Sequence, residues 1–556
     1  MNSTIKSEPS RSFTIGKVAV CVFFAFFLIL GFLSMEGYGQ PWDEQDEMDI
    51  LRMNLWEYTR ALGMDESAFV SRAEDADLTI NALTPISQSI EQDHGISVFY
   101  PMAAVVMNST MPEHTRMILW HMYCWVIFTL GAYALYACCR LIGLSHFLGL
   151  LAATILLISP RFFAEGHYNN KDIALMSLTL CTLWQGLSLM KKPSYPHALC
   201  FAFVGALAAN TKVVGFAIWG LCGIFVLIRQ IINRSFTKKT LLIGLLTVVS
   251  FFAFYALLTP ALWADPGAFI SYLVGNALAF QRWQNYILFR GTVFDLTQTT
   301  LPRYYLPYMI LVTTPIWILV TVAIGQISAV VSVCKKNAFV QRLDQNLSLI
   351  LVTLLWVLPL GFAIITKTTV YNGWRHFYFL YGPMILLAAY GVSTVWRRLY
   401  DHRILLQICT TVLIFSMVTT TIGISTQHPY QYAYYQSTVL AQGSDYLELD
   451  HWNVSATNAL RKLANQVDGD IQIGYSDLWS QNALEHAIFT LPEDEAARFT
   501  VVDAGAKYIL ENPTYSNFSG FEPTDTMRPV VSIISSKQPI MRIYENADAV
   551  IAPKEN

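Results

Sequence analysis

Long apolar segments with almost no charge recur along this chain, and nothing else in the sequence limits its fold so tightly. They fall near residues 17–35, 116–138, 144–159, 172–190, 197–209, 213–229, 240–260, 305–330, 346–365, 377–394 and 403–424. A helix needs roughly 20 such residues to cross the hydrocarbon core of a bilayer. The composition agrees, at 54% hydrophobic and only 13% charged over 556 residues, where a soluble domain carries about a quarter charged residues. The spacing therefore predicts a mainly α, polytopic membrane protein with about eleven transmembrane helices. A net charge of −3 leaves no basic footprint for nucleic acid. All nine cysteines lie in or beside apolar segments and none follows Cys409, so no disulfide framework is expected in the polar C-terminal region.

Charge orients the helices. Lys and Arg gather in alternate loops: Arg140; Lys191 and Lys192; Arg229, Arg234, Lys238 and Lys239; Lys335, Lys336 and Arg342; Arg397, Arg398 and Arg403. Basic loops stay on the cytoplasmic side. This predicts a cytoplasmic N-terminal tail (1–16), a transmembrane part (17–425) and an extracytoplasmic C-terminal part (426–556). In the last part IQIGYSD, ARFTVVDAG, AKYILEN, PVVSIIS and PIMRIYEN read as short strands, and SATNALRKLANQV as a helix. A small α/β domain is expected there.

The opposite face collects acids. In GYGQPWDEQDEMDI, residues 37–50, Asp43, Glu44, Asp46, Glu47 and Asp49 crowd the end of the first apolar run. They open an outer loop, about 36–115, in which Met48, Leu51, Leu55 and Tyr58 have helical spacing and predict an amphipathic interfacial helix. Glu47 and Asp49 read as solvated residues of that helix. The same face carries Arg161, Lys171, Lys212, Arg282, Arg290, Arg303, Lys367 and Arg375. Arg282 and Arg290 read as snorkelling anchors. Lys212, between two apolar runs, and Arg375, entering one, fit that reading less well, because charge at such places is costly and points to a polar cavity. Cations suit a phosphate, and a carboxylate within reach of a hydroxyl suits a general base. A lipid phosphate carrying a sugar would use both. Asp172 has a plainer reading as a helix N-cap, and His376 as a hydrogen-bonded interfacial histidine. Asp43, Glu44 and His167 could supply a divalent-cation site, but their spacing does not establish one.

PWDEQDE, SPRFFAEGHYNNKDIALM, LAANTKVVGF, PALWADP, LPRYYLPYMILVTTP, NGWRHFYFLYGP and HPYQYAYYQ…YLELDHWNVS, in this order across residues 15–460, resemble segments of the polytopic GT-C glycosyltransferases. The likeness is to the branch with protein O-mannosyltransferases and the lipid A aminoarabinose transferase. The resemblance implies a GT-C fold and a hexosyl or pentosyl transfer from a polyprenyl-phosphate-linked donor. The acceptor would be an envelope glycan, lipid or protein. It implies Asp43, Glu44 and Asp172 as the catalytic acids, and Lys171, Lys212 and Arg375 as partners of the carrier phosphate. His167, Tyr168 and Asn169 would contact sugar or acceptor. No cofactor is implied, and a divalent cation stays open. HYNNKD departs from the eukaryotic mannosyltransferases, whose β-trefoil domain this chain has no room for. The rival readings are a transporter of a lipid or small solute and a non-catalytic membrane assembly protein. A transporter would place ionisable residues near helix centres and show related halves, whereas here charge gathers on one face.

Overall fold

The computed structural model describes residues 11–75, 83–278, 285–335 and 342–548. Among them, nine helices are long and apolar enough to cross a membrane: Gly16–Leu33, Glu113–Leu141, Asp172–Lys191, Val214–Ile232, Lys238–Leu258, Ile316–Cys334, Leu343–Thr366, Arg375–Arg398 and Arg403–Gln427. A tenth span results if His146–Leu157 and Pro160–Tyr168, bent by 73° at their junction, count as one. The eleventh segment expected from hydropathy, Tyr195–Thr211, is a helix of 17 residues and shorter than these. Arg282 and Lys336 lie outside the described residues.

Asp172–Lys191 is the central helix. It packs against Glu113–Leu141, Tyr195–Thr211 and Val214–Ile232, and from Asp172 to Met190 only Trp184 escapes full burial. Of its hydroxyls, Thr179 Oγ1 donates to the Leu175 carbonyl and Ser188 Oγ to the Trp184 carbonyl, each at 2.8 Å.

Two prolines divide runs that hydropathy alone joins or leaves unread. Pro160 has no N–H and disfavours helical geometry at Ser159, so one helix ends and Pro160 opens the next at its first position. Ser159 Oγ donates to the Ile155 carbonyl at 2.7 Å and lies 2.7 Å from the Tyr381 hydroxyl, which secures the bend. All of Pro160–Tyr168 is buried, although hydropathy predicts only a connection there. Pro315 likewise splits the expected 305–330 helix into Tyr305–Thr313 and Ile316–Cys334.

Ile316–Cys334 meets Tyr381–Arg398 backbone to backbone. A Cβ on Gly325 would lie 1.8 Å from the Leu387 carbonyl oxygen, and one on Gly391 2.6 Å from that of Thr321. Small residues allow such approach between membrane helices. Gly325→Leu is therefore expected to lower the thermal midpoint in detergent, because overpacking costs about 1–3 kcal/mol and more where backbones must separate. Gly361→Leu, with open space around it, serves as the control. Equal midpoints for the two variants would refute this packing.

A short hairpin, β1 (Tyr286–Phe289) and β2 (Thr292–Asp295), turns through Arg290 and Gly291, both at positive φ. Beyond the last span lies a five-stranded mixed sheet of β3 (Ile471–Tyr475), β4 (Phe499–Val501), β5 (Tyr508–Glu511), β6 (Met527–Ser535) and β7 (Gln538–Asn546). The order is β4-β3-β5-β7-β6. β3 runs parallel to β4 and β5, and β7 antiparallel to β5 and β6. β3, β4 and β5 fall inside segments read as strands, and β6 and β7 begin two residues and one residue before theirs. The helix Ala456–Ala464 lies within the SATNALRKLANQV segment. Before the sheet, residues 447–457 form an unbroken buried stretch in which apolar and polar residues of LELDHWNVSAT are interleaved.

Candidate active site at one end of the spanning helices

Arg375 stands at the centre. It follows a tight turn in which Asn372 and Gly373 take φ of 50° and 77°, values that glycine adopts without strain. The Gly373 N–H donates to the Tyr305 hydroxyl at 3.1 Å. The turn leads into a 3-10 segment, Arg375–Leu380, that continues as a spanning helix. Arg375 Nη1 lies 3.4 Å from Asp43 Oδ2 and 3.9 Å from Asp172 Oδ2. One guanidinium thus serves two carboxylates from distant parts of the chain. Lys212 Nζ pairs with the other oxygen of Asp172 and lies 3.4 Å from His376 Nδ1. Lys212 has extended backbone between two helices and its side chain is largely buried against Asp172.

Asp43 keeps 28% of its side chain exposed, against 2% for Asp172. Burial pushes the Asp43 carboxyl up to about 6. Arg375 is the strongest influence pulling it back, while Glu47 and Asp172 add to the rise. Burial also lowers the Lys212 ammonium, opposed chiefly by Asp172. The site thus joins a carboxylate that titrates near neutrality to cations held in partial dryness, the conditions under which acid–base groups and charge stabilisers act strongly.

The structure places the other expected residues differently. Glu44 is fully buried, 2.7 Å from His121 Nε2, and accepts from Gln40 at 3.2 Å. His167 is held between the rings of Trp125 and Tyr38, at 4.3 and 4.6 Å. Its Nδ1 lies 2.8 Å from the Phe163 carbonyl, and its Nε2 3.1 Å from Ser34 Oγ. Tyr168 is buried among Tyr38, Tyr432 and Trp452. Burial of the Pro160–Tyr168 helix thus encloses both residues in packing, not on a face open to sugar. Asn169 is a bracket: Nδ2 lies 2.8 Å from Glu165 Oε2 and 3.3 Å from Asp172 Oδ2, and Oδ1 accepts the Asp172 N–H at 2.8 Å. The Asp172 carboxylate is engaged by cations and is no helix cap. Lys171 pairs with Glu47 at 3.3 Å, and Asn170 reaches the same carboxylate at 3.4 Å. Glu47 is therefore a buried partner, not a solvated residue. Asp49 pairs with the buried Arg52. The 44–61 helix, expected at an interface, buries Arg52, Asn54 and Glu57 as well as its apolar side.

Two contributors escaped the sequence reading. Glu165 accepts from Tyr378 at 2.6 Å and from Asn169, tying the segment before Asp172 to the segment after Arg375. The buried stretch 447–457 brings Trp452 over the Arg375 guanidinium, at 4.5 Å. Asp43, Glu44 and His167 do not converge on one point, and among the described residues no group of three or more His, Cys, Asp or Glu side chains is placed to hold a metal ion.

No protein-family model matches the chain, and no curated protein matches it significantly. Among solved structures it is similar to ArnT from Cupriavidus metallidurans. The apo crystal structure aligns with a TM-score of 0.45 and 12% identity, over 97% of this chain and 100% of that one. The crystal structure bound to undecaprenyl phosphate aligns with a TM-score of 0.43 and 13% identity, over 94% of this chain and 97% of that one.

Proposed function

We propose that the protein is an integral-membrane glycosyltransferase of the GT-C type that moves a sugar from a polyprenyl-phosphate carrier to an acceptor hydroxyl. The observation that carries this reading is Arg375 shared between Asp43 and Asp172, with Lys212 on the remaining Asp172 oxygen, at the ends of spanning helices. Asp43 is the more exposed acid and the one that titrates near 6, so it is the general base. It takes the proton of the acceptor hydroxyl. The acceptor oxygen attacks the anomeric carbon with inversion, the bond from that carbon to the phosphate oxygen breaks, and polyprenyl phosphate leaves with the electron pair. Arg375 and Lys212 stabilise the charge growing on that phosphate. Asp172 holds both cations in place. These steps draw only on side chains of the protein. An apolar cavity of about 380 Å³ between Val214–Ile232 and Leu343–Thr366 begins at Val214, two residues beyond Lys212. It offers the polyprenyl tail a place beside its headgroup.

In this reading the cluster faces the extracytoplasmic side of a cell membrane, the basic loops face the cytoplasm, and the acceptor is an envelope glycan, lipid or protein. Cysteines introduced at 238 and 500 are expected to react from opposite sides of sealed vesicles, and labelling from the same side would refute the orientation. The activity is tested by incubating the purified protein with several labelled polyprenyl-phosphate sugars and candidate acceptors, beside uptake assays in vesicles. Transfer supports the transferase. Uptake of a solute or lipid without transfer would replace it with a transporter.

A further inference from the structure

Residues 447–457 are buried without a break: Leu447, Leu449, Trp452, Val454 and Ala456 join the hydrophobic core and carry the polar residues between them inside. The backbone of the segment is tied to the region of the sheet. Asn512 Nδ2 donates to the Asp450 carbonyl at 2.7 Å, and the Tyr515 hydroxyl donates to the His451 carbonyl at 2.9 Å. Asp450 Oδ2 accepts the Ser455 N–H at 3.1 Å. From this braced segment three contacts reach the site. Glu448 accepts from Asn372 Nδ2 at 3.3 Å, within the positive-φ turn that sets up Arg375. The Trp452 carbonyl accepts the N–H of Trp42, the residue before Asp43, at 3.2 Å. The Trp452 ring lies under the Arg375 guanidinium at 4.5 Å, with Tyr371 at 5.3 Å.

We propose that Trp452 is a positioning residue of the reaction site, fixing Arg375 through its ring and the Asp43 segment through its carbonyl, so that the C-terminal region completes the site. The inference rests on the transferase reading for what the site does. The choice of side chain has a physical reason. A guanidinium on an aromatic face keeps its charge and is held flat, while its N–H groups stay free for oxygen acceptors in the ring plane. A carboxylate in the same place would hold Arg375 as firmly but would compete with the phosphate for those donors. Trp452 is 1% exposed, so it anchors the arginine and takes no direct part in the chemistry.

The test is a double-mutant cycle on the full chain in nanodiscs, read by binding of a polyprenyl phosphate of defined length. Trp452→Leu is expected to weaken binding roughly three- to thirty-fold, the range of a partly desolvated cation–π contact, and Trp452→Phe to restore most of it. In an Arg375→Gln background Trp452→Leu should add nothing further. Wild-type binding by Trp452→Leu, or equal weakening in both backgrounds, would overturn the proposal. The thermal midpoints of the same four proteins give a reading that needs no ligand: non-additive losses support coupling of the two side chains, and additive losses refute it. A wild-type protein that binds no polyprenyl phosphate, with non-additive midpoints, would remove the transferase reading while keeping the coupling.

Discussion

Asp43→Asn is expected to reduce turnover by roughly two to four orders of magnitude, the usual contribution of a positioned general base, with binding of the polyprenyl-phosphate donor largely kept. The amide preserves size but can neither take a proton nor carry charge. Donor binding persists because Asp172 still holds Lys212 and Arg375. The wild-type pH profile provides a second check. A base works only when ionised, and burial places the Asp43 carboxyl at about 6. kcat/KM should therefore fall as pH drops through about 6, where an ordinary aspartate would hold activity to about 4. Asp43→Asn should remove that limb along with the rate. The variant must first match the wild type in expression and thermal midpoint, since unfolding also abolishes activity. A well-folded Asp43→Asn protein with near wild-type turnover would end the claim for Asp43 and turn attention to Asp172.

The legible parts of this molecule are those that local chemistry decides. Spanning helices are read from length and hydropathy, and the strands β3 to β7 from alternation, because both signals live within a few consecutive residues. Asp43, Lys212 and Arg375 could be named because charge beside an apolar run is expensive wherever the chain goes. Glu44 shows the limit of reading by adjacency. Asp43 stands at the cap position of the helix that Glu44 opens, and the two side chains part there: Asp43 meets Arg375 while Glu44 meets His121. Glu47 looked solvated from its neighbours, but its environment is set by Lys171, 124 residues away. Pro160 and Pro315 were visible, yet hydropathy averaged over a window conceals the break each one makes. Glu165 and Trp452 carried no local signal. Their roles exist only because Tyr378 lies 213 residues from Glu165 in sequence, and because the segment beyond the last span folds back onto Arg375.

Arg375→Ala should separate charge stabilisation from proton transfer. Loss of the guanidinium should weaken donor binding, since it meets the phosphate before reaction, and lower kcat/KM by roughly two to three orders of magnitude, as removal of a preorganised charge stabiliser does. Arg375→Lys should recover only part of this. A single ammonium on a flexible stem lacks the planar fork that matches phosphate oxygens and the planar face that lies over the Trp452 ring. The protein should still fold, because Lys212 continues to neutralise Asp172. The distinguishing result is the pH profile of the residual activity. Arg375 is the strongest influence holding the Asp43 carboxyl down, and without it the rises from burial, Glu47 and Asp172 are less opposed. The protonated form of Asp43 gains, so the acid limb of kcat/KM should move above 6. Lys212→Ala should also weaken donor binding but shift the limb far less, because Lys212 pairs with Asp172 and is not among the main influences on Asp43. An Arg375→Ala protein with the wild-type limb and donor affinity would show that the arginine neither meets the phosphate nor tunes the base. The cluster would then be a structural ion-pair network.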